Sequence, residues 1–327
     1  MKINQIIDVK DWPQRDLSVI YGTRPKIVLK RTKMGKVYFL AKSYEKDIGE
    51  LRSEVCASNV GRVFDFSVQK AWFCRIPQYK KVGLKDPLGV LIQLNVRRER
   101  YEKRNEFKEN LLHGSALISS VNKNFGEAKD KSRRRNLYTL DLVIQALRNY
   151  VSKHKEASEL WGQFFELIVF DALIGGTDRH ENNWGILEKA DDGSFLRLAP
   201  AFDNGISLLW KMDEYRPQFV KDLYKRDFPK KAKSLFKRKN GGNFTLFEVV
   251  EALYSVPEYR KINVVDEVLG KINFVKDSDL SRALLKNIPT SSEFFTDKGE
   301  LKLIFEYVRI RRDILRNLLH NIKNRKY

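Results

Sequence analysis

The segment 160–174 constrains the fold more than any other part of the chain. Leu160, Phe164, Leu167, Ile168 and the run 170–174 outline a helix that is apolar nearly all round. A helix without a polar face has no side to turn to water, so other elements must enclose it. Glu166 and Asp171 interrupt the apolar run, and no stretch of the chain reaches the ~20 apolar residues of a membrane span, so no transmembrane segment is expected. The helix ends at Gly175-Gly176, and Thr177-Asp178-Arg179-His180-Glu181-Asn182-Asn183-Trp184 follows at once. Acidic and amide groups at the edge of a core need a reason to be there.

Around this helix the pattern changes along the chain. From about residue 137 onward helical periodicity dominates, and Leu301, Ile304, Phe305, Val308, Ile314, Leu315, Leu318 and Leu319 mark a long amphipathic C-terminal helix. The first part reads as mostly strand, with short runs at 17–21, 26–31, 36–41 and 88–95 and turn signals at Gly22 and Gly35. The segment 48–61 is expected to be helical and to end on Gly61. The charge-dense stretch 97–108 reads as an exposed connection or solvated helix, 122–136 is charge-rich and poorly patterned, and there is no internal repeat. The expectation is an α+β protein with a β-rich N-terminal lobe, 1–96, joined to a mainly helical C-terminal lobe, 97–327.

A hydrophobic content of 42% over 327 residues supports a substantial core and argues against disorder. The N-terminal residues lack the apolar core of a secretory signal, and Cys56 and Cys74 have neither metal-ligand spacing nor a disulfide framework. Both features suit a reducing cytoplasm, with secretion by a route that needs no signal peptide left open. The net charge is +20, from 62 Lys+Arg against 42 Asp+Glu. Such a field attracts polyanions, but no helix-turn-helix, zinc-finger or RNP-type signature accompanies it, so no specific nucleic-acid recognition is expected.

The polar cluster carries a candidate chemistry. Asp178 and Asn183 stand in D-x-x-x-x-N spacing. In phosphoryl transfer that spacing lets a carboxylate receive a hydroxyl proton while an amide oxygen on the same short loop reaches a metal ion. The alternative is a solvated loop that caps the helix end. Twenty residues after Asn183, a strand-like run leads into Asp203-Asn204-Gly205. That is the layout of a second metal ligand, or else of a hairpin turn. In the N-terminal lobe Gly22-Thr23-Arg24-Pro25-Lys26 joins two strand-like runs. Gly22 allows close backbone approach to a phosphate, with Arg24 or Lys26 adding charge, although a plain turn would look the same. Lys42 ends a strand and Glu54 lies in the next helix. A strand lysine paired with a helix glutamate is how kinases hold the α- and β-phosphates, and the alternative is two unrelated surface charges.

With these motifs in order, together with Ser53-Glu54, Gly176, Gly185 and Leu198-Ala199-Pro200-Ala201-Phe202-Asp203-Asn204-Gly205, the sequence resembles the bacterial HipA-like kinases, and most closely the short CtkA-type members. The likeness covers roughly residues 17 to 210. It implies a bilobal, protein-kinase-like fold, ATP with Mg²⁺, and a protein serine or threonine as acceptor. By that resemblance Asp178 is the catalytic base and Asn183 and Asp203 hold Mg²⁺. Lys42 contacts phosphate, Glu54 orients Lys42, and Gly22, Thr23, Arg24 and Lys26 belong to the nucleotide site. His180 follows the aspartate, whereas in ordinary protein kinases a histidine precedes it. Its expected role is to brace the loop, with direct chemistry as the alternative. The resemblance also implies autophosphorylation near the glycine loop, where Ser18 and Thr23 flank Gly22.

Full-length HipA toxins carry a further N-terminal subdomain, whereas the first expected strand here begins at residue 17. Antitoxin binding through such a subdomain is therefore not among the expectations. The order Asp178-Arg179-His180, Asn183, Asp203-Asn204-Gly205 is also similar to phosphoinositide kinases, which leaves a lipid acceptor as an alternative. A catalytically inactive kinase fold used as a binding module is a further one. The basic stretch 221–239 reads as a solvated loop or helix face, or as a docking surface for an acidic partner.

Overall fold

In the computed structural model the described residues are 6–15, 26–30, 38–84, 86–94, 109–211, 218, 220–223, 225, 230–286, 288, 293–295 and 298–325. They gather in two compact units. The first draws on Met1–Asn95, Asp203–Tyr224 and Val275–Arg309, the second on Val96–Phe202, Lys225–Phe274 and Ile310–Tyr327. The boundary expected at 96/97 lies outside the described residues. The units are also not two contiguous lobes, because two later segments return to the first unit.

The first unit holds a six-stranded sheet in the order β1-β5-β6-β4-β3-β2. The strands are β1 (Ile7–Asp8), β2 (Gln14–Arg15), β3 (Lys26–Lys30), β4 (Tyr38–Lys42), β5 (Ala71–Arg75) and β6 (Leu88–Gln93). Only β1 and β5 run parallel. Side chains alternate across a strand. Ile27 and Leu29, Phe39 and Ala41, and Trp72 and Cys74 therefore share one face and form its core with Val9 and Leu91. Phe39 lies edge-on to Trp12 at 5.2 Å and to Trp72 at 6.1 Å. The same alternation turns Lys42 to the opposite face, the side on which helix α1 (Gly49–Val63) packs. Phe73 stacks on Phe294 at 4.1 Å, which ties the sheet to the segment that returns late in the chain.

Helix α1 runs through Gly61, two residues past its expected end. Asp65 supplies the left-handed turn in its place, with φ 56°. The amide of Phe66 then closes on the Gly61 carbonyl at 2.8 Å. Aspartate is one of the few residues other than glycine that visits this conformation readily.

The second unit is built around α6 (Leu160–Ile174), which is buried along nearly its whole length as its sequence demands. Gly175, at φ 68°, ends it in the left-handed conformation. Three antiparallel strands lie in sequence order: β7 (Glu109–His113), β8 (Gly185–Lys189) and β9 (Phe195–Leu198). The stretch 122–136, expected to be poorly patterned, lies between α2 (Gly114–Ser119) and α5 (Leu140–Lys153) and contains α3 (Lys123–Glu127) and α4 (Lys131–Leu137). The side chains of Asn122 and Asp130 cap them, accepting from the amides of Phe125 at 3.0 Å and Arg133 at 2.8 Å. The basic stretch 221–239, expected as solvated loop or helix face, contains the strand Lys233–Lys237, paired with Asn243–Thr245. Its Ser234 and Phe236 point inward, and Phe236 packs on Tyr138 at 5.0 Å, so only alternate side chains of this strand face solvent. The amphipathic C-terminal helix is present as Lys298–Lys323, with Leu301, Ile304 and Val308 buried in its part assigned to the first unit and Leu315 and Leu319 in its part assigned to the second.

Candidate active site

Within the first unit Lys42, Glu54 and Asp203 form one cluster. The Lys42 Nζ lies 3.1 Å from Glu54 Oε2 and 2.7 Å from Asp203 Oδ1. Burial alone would lower the lysine pKa, but the Asp203 and Glu54 carboxylates overcome that and hold it above the ordinary value of 10.5. The ammonium is thus charged at any physiological pH. The second oxygen of Glu54 accepts from the Asn204 amide at 3.2 Å, so one carboxylate grips the lysine and the chain just past Asp203. Asp203 has φ 56°, a left-handed conformation that aspartate adopts more readily than most residues. In the β3–β4 ladder Lys26 stands directly opposite Lys42.

Within the second unit Arg179 organises the polar loop. It donates to both oxygens of Asp171, at 2.9 and 2.7 Å, and to the carbonyls of Asn183 and Phe202, each at 2.7 Å. Asp171 and Arg179 are 1% and 5% exposed, so this forked pair is desolvated, and the Arg179 Nη1 hydrogens are satisfied by main chain. Burial pushes the Asp171 carboxyl up, and the Arg179 guanidinium opposes that shift. Gly176 makes room for the pair: a Cβ there would stand 2.9 Å from Asp171 Oδ1. Tyr138 adds a second brace, with its hydroxyl donating to the Arg179 carbonyl at 3.2 Å and accepting from the Trp184 indole at 3.0 Å. Trp184 in turn packs so tightly on Gly114 that a Cβ there would lie 2.3 Å from the indole.

The candidate residues of the loop fall on this frame. The Asn183 side-chain NH₂ donates to the Asp178 carbonyl at 2.8 Å, which orients its Oδ1 away from that bond. The His180 ring Nδ1 accepts from the Asn182 amide at 3.1 Å, and the His180 carbonyl accepts from the Asn183 amide at 2.9 Å. His113, which nothing in the sequence singled out, reaches the same loop through its Nδ1, 3.1 Å from the Asn182 carbonyl.

The structure therefore brings Lys42, Glu54 and Asp203 together in one unit and places Asp178, His180 and Asn183 on one braced loop in the other. Lys26 is the first residue of β3, whereas Gly22, Thr23, Arg24 and Ser18 lie outside the described residues. The functions of Asp171, Arg179 and Tyr138 in holding the loop were missed. An acid in the last turns of a mostly apolar helix was the available signal, because such a group demands a buried partner. A carboxylate and an amide oxygen are the hard oxygen donors that suit Mg²⁺, so the types present in Asp203 and Asn183 fit that ion. No helix among the described residues is long and apolar enough to cross a membrane.

The serine/threonine-protein kinase CtkA of Helicobacter pylori is 39% identical over 51 residues, a match that spans 16% of this chain and only 15% of that protein. The crystal structure of a Helicobacter pylori proinflammatory kinase CtkA superposes over 97% of this chain and 98% of its own, with a TM-score of 0.66 and 17% identity. HipA from the Shewanella oneidensis MR-1 toxin–antitoxin complex with HipB and operator DNA matches over 98% of this chain and 72% of its own, with a TM-score of 0.57 and 10% identity. At these identities the two structures show a shared fold, the mixed α/β architecture of the HipA and CtkA kinases. The model of the HipA-like C-terminal domain matches residues 18–240. The chain belongs to the HipA-like C-terminal domain family.

Proposed function

We propose that the protein is an ATP-dependent serine/threonine kinase of the HipA-like type, acting on a protein hydroxyl. The observation that carries this reading is the Lys42–Glu54–Asp203 cluster, a partly buried ammonium held between two carboxylates at 3.1 and 2.7 Å. A structural ion pair needs only one carboxylate. A lysine that keeps its charge, with a second lysine at the opposed position of the ladder, suits a polyphosphate.

In this reading Lys42 and Lys26 bind phosphate oxygens, and Glu54 fixes Lys42. Gly22, Thr23 and Arg24 complete the nucleotide site. Asp203 and Asn183 are the metal ligands. Bound Mg²⁺ supplies neutralisation of phosphate charge. Asp178 takes the proton of the acceptor hydroxyl as its oxygen bonds to the γ-phosphorus. The bond from that phosphorus to the β–γ bridging oxygen breaks, and ADP leaves. His180 holds the loop through Asn182. The acceptor class follows the CtkA and HipA kinases to which the chain is similar.

Incubation with γ-labelled ATP, Mg²⁺, a generic protein acceptor and mixed phosphoinositide vesicles tests the reading. Label on protein serine or threonine is expected. Label confined to lipid would replace the acceptor, and no transfer in protein that binds nucleotide would reduce the fold to a binding module.

A further inference from the structure

The segment after Asp203 is shaped by a turn that few sequences would choose. Leu208 and Leu209 have φ values of 48° and 59°. The Trp210 amide returns to the Ser207 carbonyl at 2.9 Å. Two successive left-handed central residues make a turn usually filled by asparagine and glycine, and leucine is strained there. Something outside the turn must hold it.

That support comes from α1. The Ser207 carbonyl accepts a second hydrogen bond, from the hydroxyl of Ser53 at 2.7 Å. The Ser207 hydroxyl donates to the Asn204 carbonyl at 2.7 Å, while the Asn204 amide is held by Glu54. Asn204, the residue that follows Asp203, is therefore gripped at both its main-chain groups by a chain of bonds that ends on two adjacent residues of α1. One turn before Ser53 on the same face, Gly49 lets the helix meet the end of the turn: a Cβ there would stand 1.6 Å from the Trp210 carbonyl oxygen. On the neighbouring face Gly205 approaches the Glu50 carbonyl, where a Cβ would lie at 3.1 Å. Ser53 is 1% exposed, so its hydroxyl has no competing water.

We propose that Ser53 is a positioning residue for the metal-ligand segment, anchoring the turn 207–210 to α1 and so fixing the carboxylate of Asp203. The inference rests on the kinase reading, in which Asp203 is a metal ligand. Without the Ser53 hydroxyl the strained turn loses its hydrogen bond to α1, Ser207 is less firmly placed to hold the Asn204 carbonyl, and the Asp203 carboxylate is less well aimed. The effect is specific to the metal, because Lys42 and Glu54 remain paired.

The test uses the full chain as wild type, Ser53→Ala and Ser58→Ala. Ser58 is the matched control: it is buried in the same helix and accepts from the Ala71 amide at 3.0 Å, on the sheet side. Binding of a fluorescent ATP analogue is titrated with Mg²⁺, and amide hydrogen exchange is followed at 204–210. Ser53→Ala is expected to raise the half-saturating Mg²⁺ concentration by roughly tenfold and to speed exchange of the Trp210 amide. Ser58→Ala is expected to keep both within about twofold of wild type, with a comparable loss of thermal stability. A Ser53→Ala midpoint within about twofold of wild type, or an equal shift in Ser58→Ala, would overturn the inference alone. Wild type that binds no analogue at any Mg²⁺ concentration would overturn the kinase reading and this inference with it.

Discussion

Helix α1 in the first unit and helix α6 in the second have the same length, 15 residues, and both are enclosed. Every residue of α1 from Gly49 to Gly61 is buried, although six of them are Glu50, Arg52, Ser53, Glu54, Ser58 and Asn59. Helix α6 carries one buried acid, Asp171, in a mostly apolar run. The hydrophobic effect accounts for α6 directly, since an apolar face all round leaves no stable position but the interior. It does not account for α1, where each polar group needs its own partner. Arg52 reaches Glu300 at 3.0 Å, Glu50 accepts from the Lys46 amide at 3.0 Å, and Ser58 accepts from Ala71. Ser53 and Glu54 reach toward Asp203 and its neighbours. A helix kept polar at the cost of such exacting partnership is kept for what those groups hold in place.

The largest effect is expected where the apolar helix depends on its one buried charge. Arg179→Met leaves Asp171 buried and unpaired and should cost about 3–5 kcal/mol, seen as a lower denaturant midpoint. A loss below about 1 kcal/mol would show that the pair does not brace the loop. Next comes plain packing: Leu173, 0% exposed in α6, should cost about 2–5 kcal/mol on mutation to alanine.

Helix α1 should answer differently. Glu54→Gln keeps the shape and an acceptor for the Asn204 amide, so about 1–2 kcal/mol of stability is expected to go, while phosphate transfer falls by roughly tenfold or more. Activity that tracks stability in this variant would erase the distinction between the two helices.

The pH dependence of the cluster has a definite sign. The folded-state pKa of Lys42 is raised above 10.5, so its contribution is fully present below that value and is lost only as pH rises through the folded value. Between about pH 6 and about pH 9 the Lys42 contribution should stay constant, and the difference in stability between wild type and Lys42→Met should not move. The smallest expected effect is none at all. Cys56 lies in α1 with its thiol pushed up to about 12 by burial, and Cys74 in β5 is raised by the same cause. Neither should react with a thiol reagent until denaturant is added, and labelling of native protein would show that α1 opens.

The same contrast explains what was legible in the sequence. Helix α6, its glycine end and the amphipathic helix Lys298–Lys323 follow from periodicity and could be read residue by residue. So could the strand positions of Lys26 and Lys42, through alternation. The burial of α1 could not, because nothing local reveals that Arg52 will meet Glu300 or that Ser53 will meet Ser207. The end of α1 was misread at Gly61 because Asp65 took over the left-handed turn. The strands β5, β7 and β8 were missed because their local patterns gain meaning only when partners far along the chain complete the sheets. Of the candidate site, the motif residues were named from spacing and resemblance. The partners that hold them, Asp171, Arg179, Tyr138 and Asn204, became visible only with the coordinates.

The most direct test of the kinase reading is transfer of labelled γ-phosphate by wild type, Asp178→Asn and Asp203→Asn, each checked for an unchanged fold by circular dichroism. The expected result is transfer by wild type and a loss on the order of a hundredfold or more in each variant, as removal of a base or a metal-held carboxylate requires. Turnover close to wild type in either folded variant would contradict it.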